Sequence, residues 1–302
     1  MLTLSILLAL EFAVPVPAAP AHAPDPFAAQ VQARVAADTA FRTAVAYWRL
    51  GADDDSLFLH DNWTFHAAST MKVPVMIQLF RMVDAGTLSL DQKLVLENQF
   101  RSIVDGSPYA LDMADDSDSS LYARVGQSVT VAELIDLMIT RSSNLATNVL
   151  IELADPARTT AAMRSLGAAH IRVLRGVEDG PAYRAGLINT VTARDLAIVL
   201  AAIARDRAAS PAGCAAMRKI LLGQEFNEGI PAGLPPRVPV AHKTGWVDGL
   251  VRHDAAIVYP PGGKGAPYVL VVLTGSSAPA ADADRLIADI SRLVWTHETG
   301  GM

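Results

Sequence analysis

The pattern of strand and helix changes twice along this 302-residue chain, and that order constrains the fold more than any other feature. Thr43 to Leu50 alternates apolar and polar residues as a strand does, and after the acidic turn Gly51 to Asp55 a second run follows, Ser56 to His60. Together they read as an antiparallel hairpin. A helical region then extends, with interruptions, from about Ser69 to about Leu222. Its boundaries are marked in the sequence. Thr130 with Glu133 forms a capping box, Thr192 with Asp195 a similar start, and Gly86 a C-terminal stop. Beyond Pro235 the strand pattern returns in Val238 to Lys243, His253 to Tyr259 and Tyr268 to Thr274, with Pro260 to Gly263 as a turn. A terminal helix covers about Ala281 to Thr296. The simplest assembly is an α+β fold. All five strands form one antiparallel sheet flanked by helices, and the helical middle makes an all-helical lobe. A site in such a fold is expected in the cleft between the lobes.

Several function classes are excluded by composition. The 31 acidic residues outnumber the 25 basic ones, so the basic face needed for nucleic acid is missing. The single cysteine, Cys214, rules out an internal disulfide, a redox pair and a thiolate metal cluster, and reads as a small core residue. The seven histidines lack HxH or HxxxH spacing, so no zinc site is expected. Asp112 to Asp118 reads as a solvated acidic loop without the EF-hand pattern. Leu2 to Leu10 is a short apolar run, followed by Ala21-His22-Ala23. This resembles a secretory signal at residues 1–23, although no basic residue precedes the run and Glu11 interrupts it. Cleavage after Ala18 is an alternative, and a disordered arm is the bland one. No later segment approaches the ~20 apolar residues of a membrane span, so a soluble exported protein is expected. Only five of the 25 basic residues are lysines, at 72, 93, 219, 243 and 264. Lysine is the basic residue whose pKa shifts readily on burial, so candidates for lysine chemistry are few.

Three short motifs carry chemistry. In Ser69-Thr70-Met71-Lys72, followed by Pro74, the serine lies at a helix start and the lysine three residues on, along the same face. A desolvated neutral lysine can act as base toward a serine nucleophile. Alone the pattern is weak, since roughly one match per 300 residues arises by chance, and Ser69 as a mere N-cap with Lys72 on the surface is the bland alternative. In Ser142-Ser143-Asn144, after the helix that ends near Thr140, Ser142 is a candidate proton relay and Asn144 a donor to a substrate amide. An ordinary helix–helix turn is the competing reading, and Asn148 is expected to tie this loop down. In Lys243-Thr244-Gly245 a strand cation and hydroxyl can hold a carboxylate, while Gly245 lets a substrate lie against the strand edge.

The three motifs occur in this order, separated by 73 and 101 residues. Together they resemble the penicillin-recognising serine hydrolases, the class A β-lactamases and penicillin-binding proteins. The resemblance covers residues 24–302 and implies a two-lobed catalytic domain, with an α/β lobe of about 27–66 and 225–302 and a helical lobe of about 67–224. It further implies that Ser69 becomes acylated, Lys72 acts as base, Ser142 passes a proton to the leaving nitrogen and Asn144 binds the side-chain amide. Lys243 and Thr244 would hold the carboxylate beside Gly245, and the backbone N–H groups of Ser69 and Trp246 would form the oxyanion hole. Two departures stand out. Ser143 occupies a position where class A enzymes carry Asp. The deacylation base of those enzymes, a Glu followed four residues later by Asn, has Glu178 as its best counterpart, followed by Ala182. Glu178 and Asp179 are alternatively loop-fixing carboxylates paired with Arg172, Arg175 or Arg184. Trp246 is bulky and is expected to narrow the substrate range.

The expected activity is hydrolysis of a β-lactam amide through a Ser69 acyl-enzyme, serving antibiotic resistance or β-lactam catabolism in the periplasm or outside the cell. The alternative is a D-alanyl-D-alanine peptidase or esterase acting on a peptidoglycan peptide, and a non-hydrolysing antibiotic receptor is the third class. No cofactor, metal, nucleic acid or membrane span is expected, and the chain is expected to be a monomer.

Overall fold

The computed structural model describes residues 26–51, 55–263, 265–275 and 278–300. The apolar N-terminal run, the middle of the acidic turn (52–54) and Lys264 lie outside the described residues. The main sheet has five antiparallel strands: β1 (Arg42–Arg49), β2 (Ser56–Leu59), β3 (Val240–Val247), β4 (Val251–Val258) and β5 (Tyr268–Gly275). Their order across the sheet is β2-β1-β5-β4-β3, which leaves β3 at an edge. The first strand pairs with the last, Val45 opposite Val272, so both ends of the chain close one sheet around the helical middle.

Alternation sorts the side chains of this sheet onto two cores. Ala241, Ala255, Ile257, Val269 and Val271 face the helical side, while Val240, Ala256, Val258, Leu270 and Val272 face outward. Two helices cover the outer face. α1 (Pro26–Ala36) buries Phe27, Val31 and Val35 at four-residue spacing, and α9 (Ala280–Thr299) buries Leu286, Ile287, Ile290 and Val294. The short α1 was absent from the sequence expectations; three apolar residues at i, i+4 and i+8 carry its signal.

On the inner side lie α2 (Lys72–Asp84), α3 (Val131–Thr140), α4 (Asn144–Ala154), α5 (Pro156–Ser165), α6 (Gly180–Arg184), α7 (Ala193–Ala204) and α8 (Pro211–Leu221). The expected caps are present. The Thr130 and Thr192 hydroxyls accept from the N–H groups of Glu133 and Asp195 at 3.2 and 3.1 Å, and Gly86 follows α2 at φ +69°. Cys214 is fully buried in the inner core.

Three sequence expectations need correction. The stretch between α2 and α3 is less helical than expected: it holds two short ladders, Lys93–Val95 with Ser128–Thr130 and Phe100–Arg101 with Pro108–Tyr109. Strand β3 does not stop at Lys243. It continues through Trp246, which sits opposite Arg252, and turns only at Gly249, where φ is +68°. The acidic loop is not simply solvated. The Asp116 carboxylate accepts from the N–H groups of Asn144 and Leu145 at 2.8 and 2.9 Å and from the Tyr122 hydroxyl at 3.0 Å. It therefore anchors the start of α4, where the unpaired N–H groups and the helix dipole favour a negative charge. Among the described residues no group of three or more His, Cys, Asp or Glu is arranged to hold a metal ion.

Candidate active site

Ser69 lies in a 3-10 turn, Ala68–Met71, that runs directly into α2. The serine is not a capping residue: the turn and helix lack a side-chain cap, and its hydroxyl is left for other work. Ala68 before it adopts φ +45°. Lys72 begins α2 one turn on and is completely buried, as is Lys243 on β3.

The three motifs meet at one hydroxyl. Lys72 Nζ donates to Ser142 Oγ at 3.1 Å, and Lys243 Nζ donates to the same oxygen at 3.1 Å. Lys72 also reaches the Ser142 carbonyl at 2.6 Å and Asn144 Oδ1 at 3.1 Å. Lys243 further donates to the Thr244 carbonyl at 3.0 Å. Burial pushes the Lys72 amine down to about 7, with Asp116 and Glu178 partly opposing the shift. Burial and the neighbouring Lys72 push Lys243 well below the ordinary lysine range, against a smaller opposing pull from Asp254. Two ammonium groups this close in a dry site repel each other, so one proton on either amine disfavours a second. A neutral lysine at neutral pH is what a buried base requires.

Ser142 and Glu178, like Ala68, hold positive φ without being glycine, +59° in each case. Such conformations cost of order 1–3 kcal/mol each and persist where the surroundings over-determine them. Ser143 explains part of this. It is buried, and its hydroxyl caps α4 by accepting from the Ala146 N–H at 3.3 Å, which fixes the turn that aims Ser142. A short hydroxyl therefore does the supporting work at the middle position of the motif. Asn144 uses both ends of its amide, with Oδ1 on Lys72 and Nδ2 donating to Glu178 Oε1 at 3.0 Å.

The loop carrying Glu178 is held by hydrogen bonds other than the carboxylate–arginine pairs expected from the sequence. Asn148 clamps Val177 by both main-chain groups, with 2.7 Å to its N–H and 3.1 Å to its carbonyl. Asn148 therefore ties down this loop and not its own. A Cβ at Gly176 would stand 2.4 Å from Asn148 Oδ1, so the clamp requires glycine there. Asp179 is the loop-fixing carboxylate: it accepts from Ser102 Oγ at 2.8 Å and from the Ile103 and Ala182 N–H groups at 3.0 Å. Arg175 donates to the carbonyls of Leu187 and Gly176, both at 2.8 Å. Glu178 instead turns inward, with Oε2 also accepting from the Asp112 N–H at 3.3 Å. Burial raises its pKa, a shift that its two hydrogen bonds partly offset.

Ser69, Asn144, Glu178 and Trp246 line one cavity of about 640 Å³. Trp246 packs edge-on against Phe226, with ring centroids 5.1 Å apart, and beneath the Arg252 guanidinium, which is also paired with Asp284. Arg252, Phe226 and Asp116 were not singled out in the sequence. Each acts on the site through residues distant in the chain, and no local motif marks them. At Gly245 a Cβ would lie 2.9 Å from the Thr70 nitrogen and 3.0 Å from that of Ser69. Strand β3 and the turn that carries Ser69 therefore touch backbone to backbone. Gly245→Ala is expected to push them apart and lower kcat/KM about 100-fold, comparable to losing one oxyanion donor. Steady-state kinetics with a melting curve would check this.

The likenesses of this chain agree with that geometry. A beta-lactamase of Streptomyces fradiae is 31% identical over 188 residues, 58% of each chain, so the match spans little more than half the curated relative. The solved beta-lactamase from Sphaerobacter thermophilus DSM 20745 is 27% identical with a TM-score of 0.74, over 91% of this chain and 97% of that one. The structure of PBP-A is 26% identical with a TM-score of 0.75, over 90% and 95%. Residues 26–297, nearly all of the described chain, match one family throughout: the chain belongs to the Beta-lactamase enzyme family.

Proposed function

We propose that this chain is a class A-like serine β-lactamase that opens the β-lactam amide through an acyl-enzyme on Ser69. The observation that carries this reading is the Ser142 hydroxyl, 3.1 Å from each of two buried lysines drawn from the first and third motifs. Ser69 Oγ attacks the lactam carbonyl and its proton passes to Lys72. The developing oxyanion is held by the N–H groups of Ser69 and Trp246. The ring C–N bond breaks as the nitrogen takes the Ser142 proton, which Lys72 replaces. Lys243 and Thr244 hold the substrate carboxylate, whose charge draws a proton onto Lys243. The spare N–H of Asn144 takes the acyl amide. Glu178 then removes a proton from water, the hydroxide attacks the ester carbonyl, and that proton returns to Ser69 Oγ as it leaves.

The N-terminal apolar run supports export, with residues 24–302 working as one catalytic unit outside the cytoplasm and as a monomer. Among the described residues no helix is long and apolar enough to cross a membrane.

The test is turnover of a chromogenic cephalosporin together with mass spectrometry after benzylpenicillin. Rapid turnover with a transient Ser69 adduct is the expected result. A stable adduct with negligible turnover would move the chain to the peptidase alternative, and absence of both would overturn the reading. Glu178→Gln is expected to slow deacylation about 1,000-fold, as loss of a general base does. Its benzylpenicillin adduct should then survive long enough for peptide mapping.

A further inference from the structure

The cleft does not end at the nucleophile. A second cavity of about 790 Å³ lies beyond it, and the two share His66 and Tyr183 in their walls. Charge divides between them. Among the described residues the Ser69 end carries Asp115, Glu178, Asp179 and Asp248, with Arg175 the only arginine, whereas the far end carries Arg42 and Arg184 and no carboxylate. The walls of the second cavity are otherwise largely apolar, with Phe65, Tyr183, Ile188 and Leu250 among them. Tyr183 and Leu250 are 52% and 37% exposed, large for side chains of their type.

Arg42 is held ready for a ligand. Its guanidinium sits 4.8 Å from the ring centres of both Trp63 and Phe65, and one nitrogen donates to the Thr64 carbonyl at 3.1 Å. Arg49, Arg194 and Arg252 each have a carboxylate partner. Arg42 and Arg184 have none among the described residues. A planar cation fixed by aromatic stacking, with free N–H groups in a cavity with apolar walls, suits a carboxylate.

We propose that this second cavity is a subsite for the acyl side chain of the substrate, and that it takes a chain of several methylenes ending in a carboxylate. The proposal rests on the serine-acylating function above and names the substrate class of that site. The apolar walls take the methylenes, and Arg42 and Arg184 take the terminal charge.

The test compares two cephalosporins with the same nucleus, one carrying an adipoyl and one a hexanoyl side chain. Expected is a preference of about tenfold in kcat/KM for adipoyl, the effect of one good charge-assisted contact. The preference should shrink as salt is added. In the double variant Arg42→Gln/Arg184→Gln the adipoyl rate should fall to the hexanoyl rate. Equal rates in the wild type, or a loss by the same factor on both substrates in the variant, would overturn the subsite alone. Failure of both cephalosporins and of benzylpenicillin to acylate Ser69 would overturn the proposed function, and the subsite with it.

Discussion

Ser69→Ala is expected to remove β-lactam hydrolysis and acyl-adduct formation while leaving the fold intact. The change deletes one oxygen from a half-exposed residue that caps no helix. Its melting temperature should therefore stay close to the wild type, since surface changes of this kind usually stay within about 0.5 kcal/mol. In the proposed mechanism Ser69 alone is the nucleophile, and Ser142 only relays a proton. Loss of the nucleophile alone costs on the order of 10⁴-fold or more in kcat, with residual rate only from the oxyanion donors and binding groups. The measurement is hydrolysis of a chromogenic cephalosporin alongside mass spectrometry. Turnover within tenfold of the wild type would show that another group is the nucleophile.

Lys72→Arg is expected to cost nearly as much, by a different route. Position 72 is fully buried beside Lys243, and burial lowers the lysine to about 7. The lysine can therefore lose its proton near neutrality, whereas arginine stays charged and cannot serve as base. Acylation should slow about 1,000-fold, within the range for loss of a general base. The sign of the pH dependence follows. With Lys72 as the base its working form is the neutral amine, so kcat/KM should be low below pH 7 and rise as pH passes upward through about 7. That limb should be missing in Lys72→Arg. A permanent cation buried at 72 also costs stability, so the pH profile, rather than the rate alone, separates a lost base from a loosened fold. Lys243→Arg is a useful contrast, because arginine still binds a carboxylate. An unchanged pH limb in Lys72→Arg would remove Lys72 from the role of base.

Much of the fold was legible because periodicity and capping are local. Thr130, Thr192 and Gly86 mark helix ends through hydrogen bonds to residues only a few positions away, and the continuous apolar run of Tyr268–Gly275 follows from burial on both faces of the sheet. The two-stranded ladders between α2 and α3 were not legible. Two- and three-residue strands carry too little pattern, and their stability comes from the surfaces they cover. The candidate site divides the same way. Ser69, Lys72, Ser142, Asn144, Lys243 and Gly245 stand in short motifs, and the structure brings them together. Glu178 and Asp179 are adjacent carboxylates, and nothing local says which one turns inward. The N–H groups of Ile103 and Ala182 and the Ser102 hydroxyl hold Asp179 in the loop, which leaves Glu178 to face Asn144.

The sequence by itself determined which residue types stand in the three short motifs, and the order of strands and helices that can carry them. Only the tertiary structure decided their states. Lysines 72 and 243 lie 171 positions apart, yet both reach one serine hydroxyl with no access to water. Lysine's ordinary pKa is a property of the side chain in water. The shift toward neutrality arises from burial in both lysines and, for Lys243, also from the nearby Lys72 charge, and these exist only once the sheet edge has closed against the helical lobe.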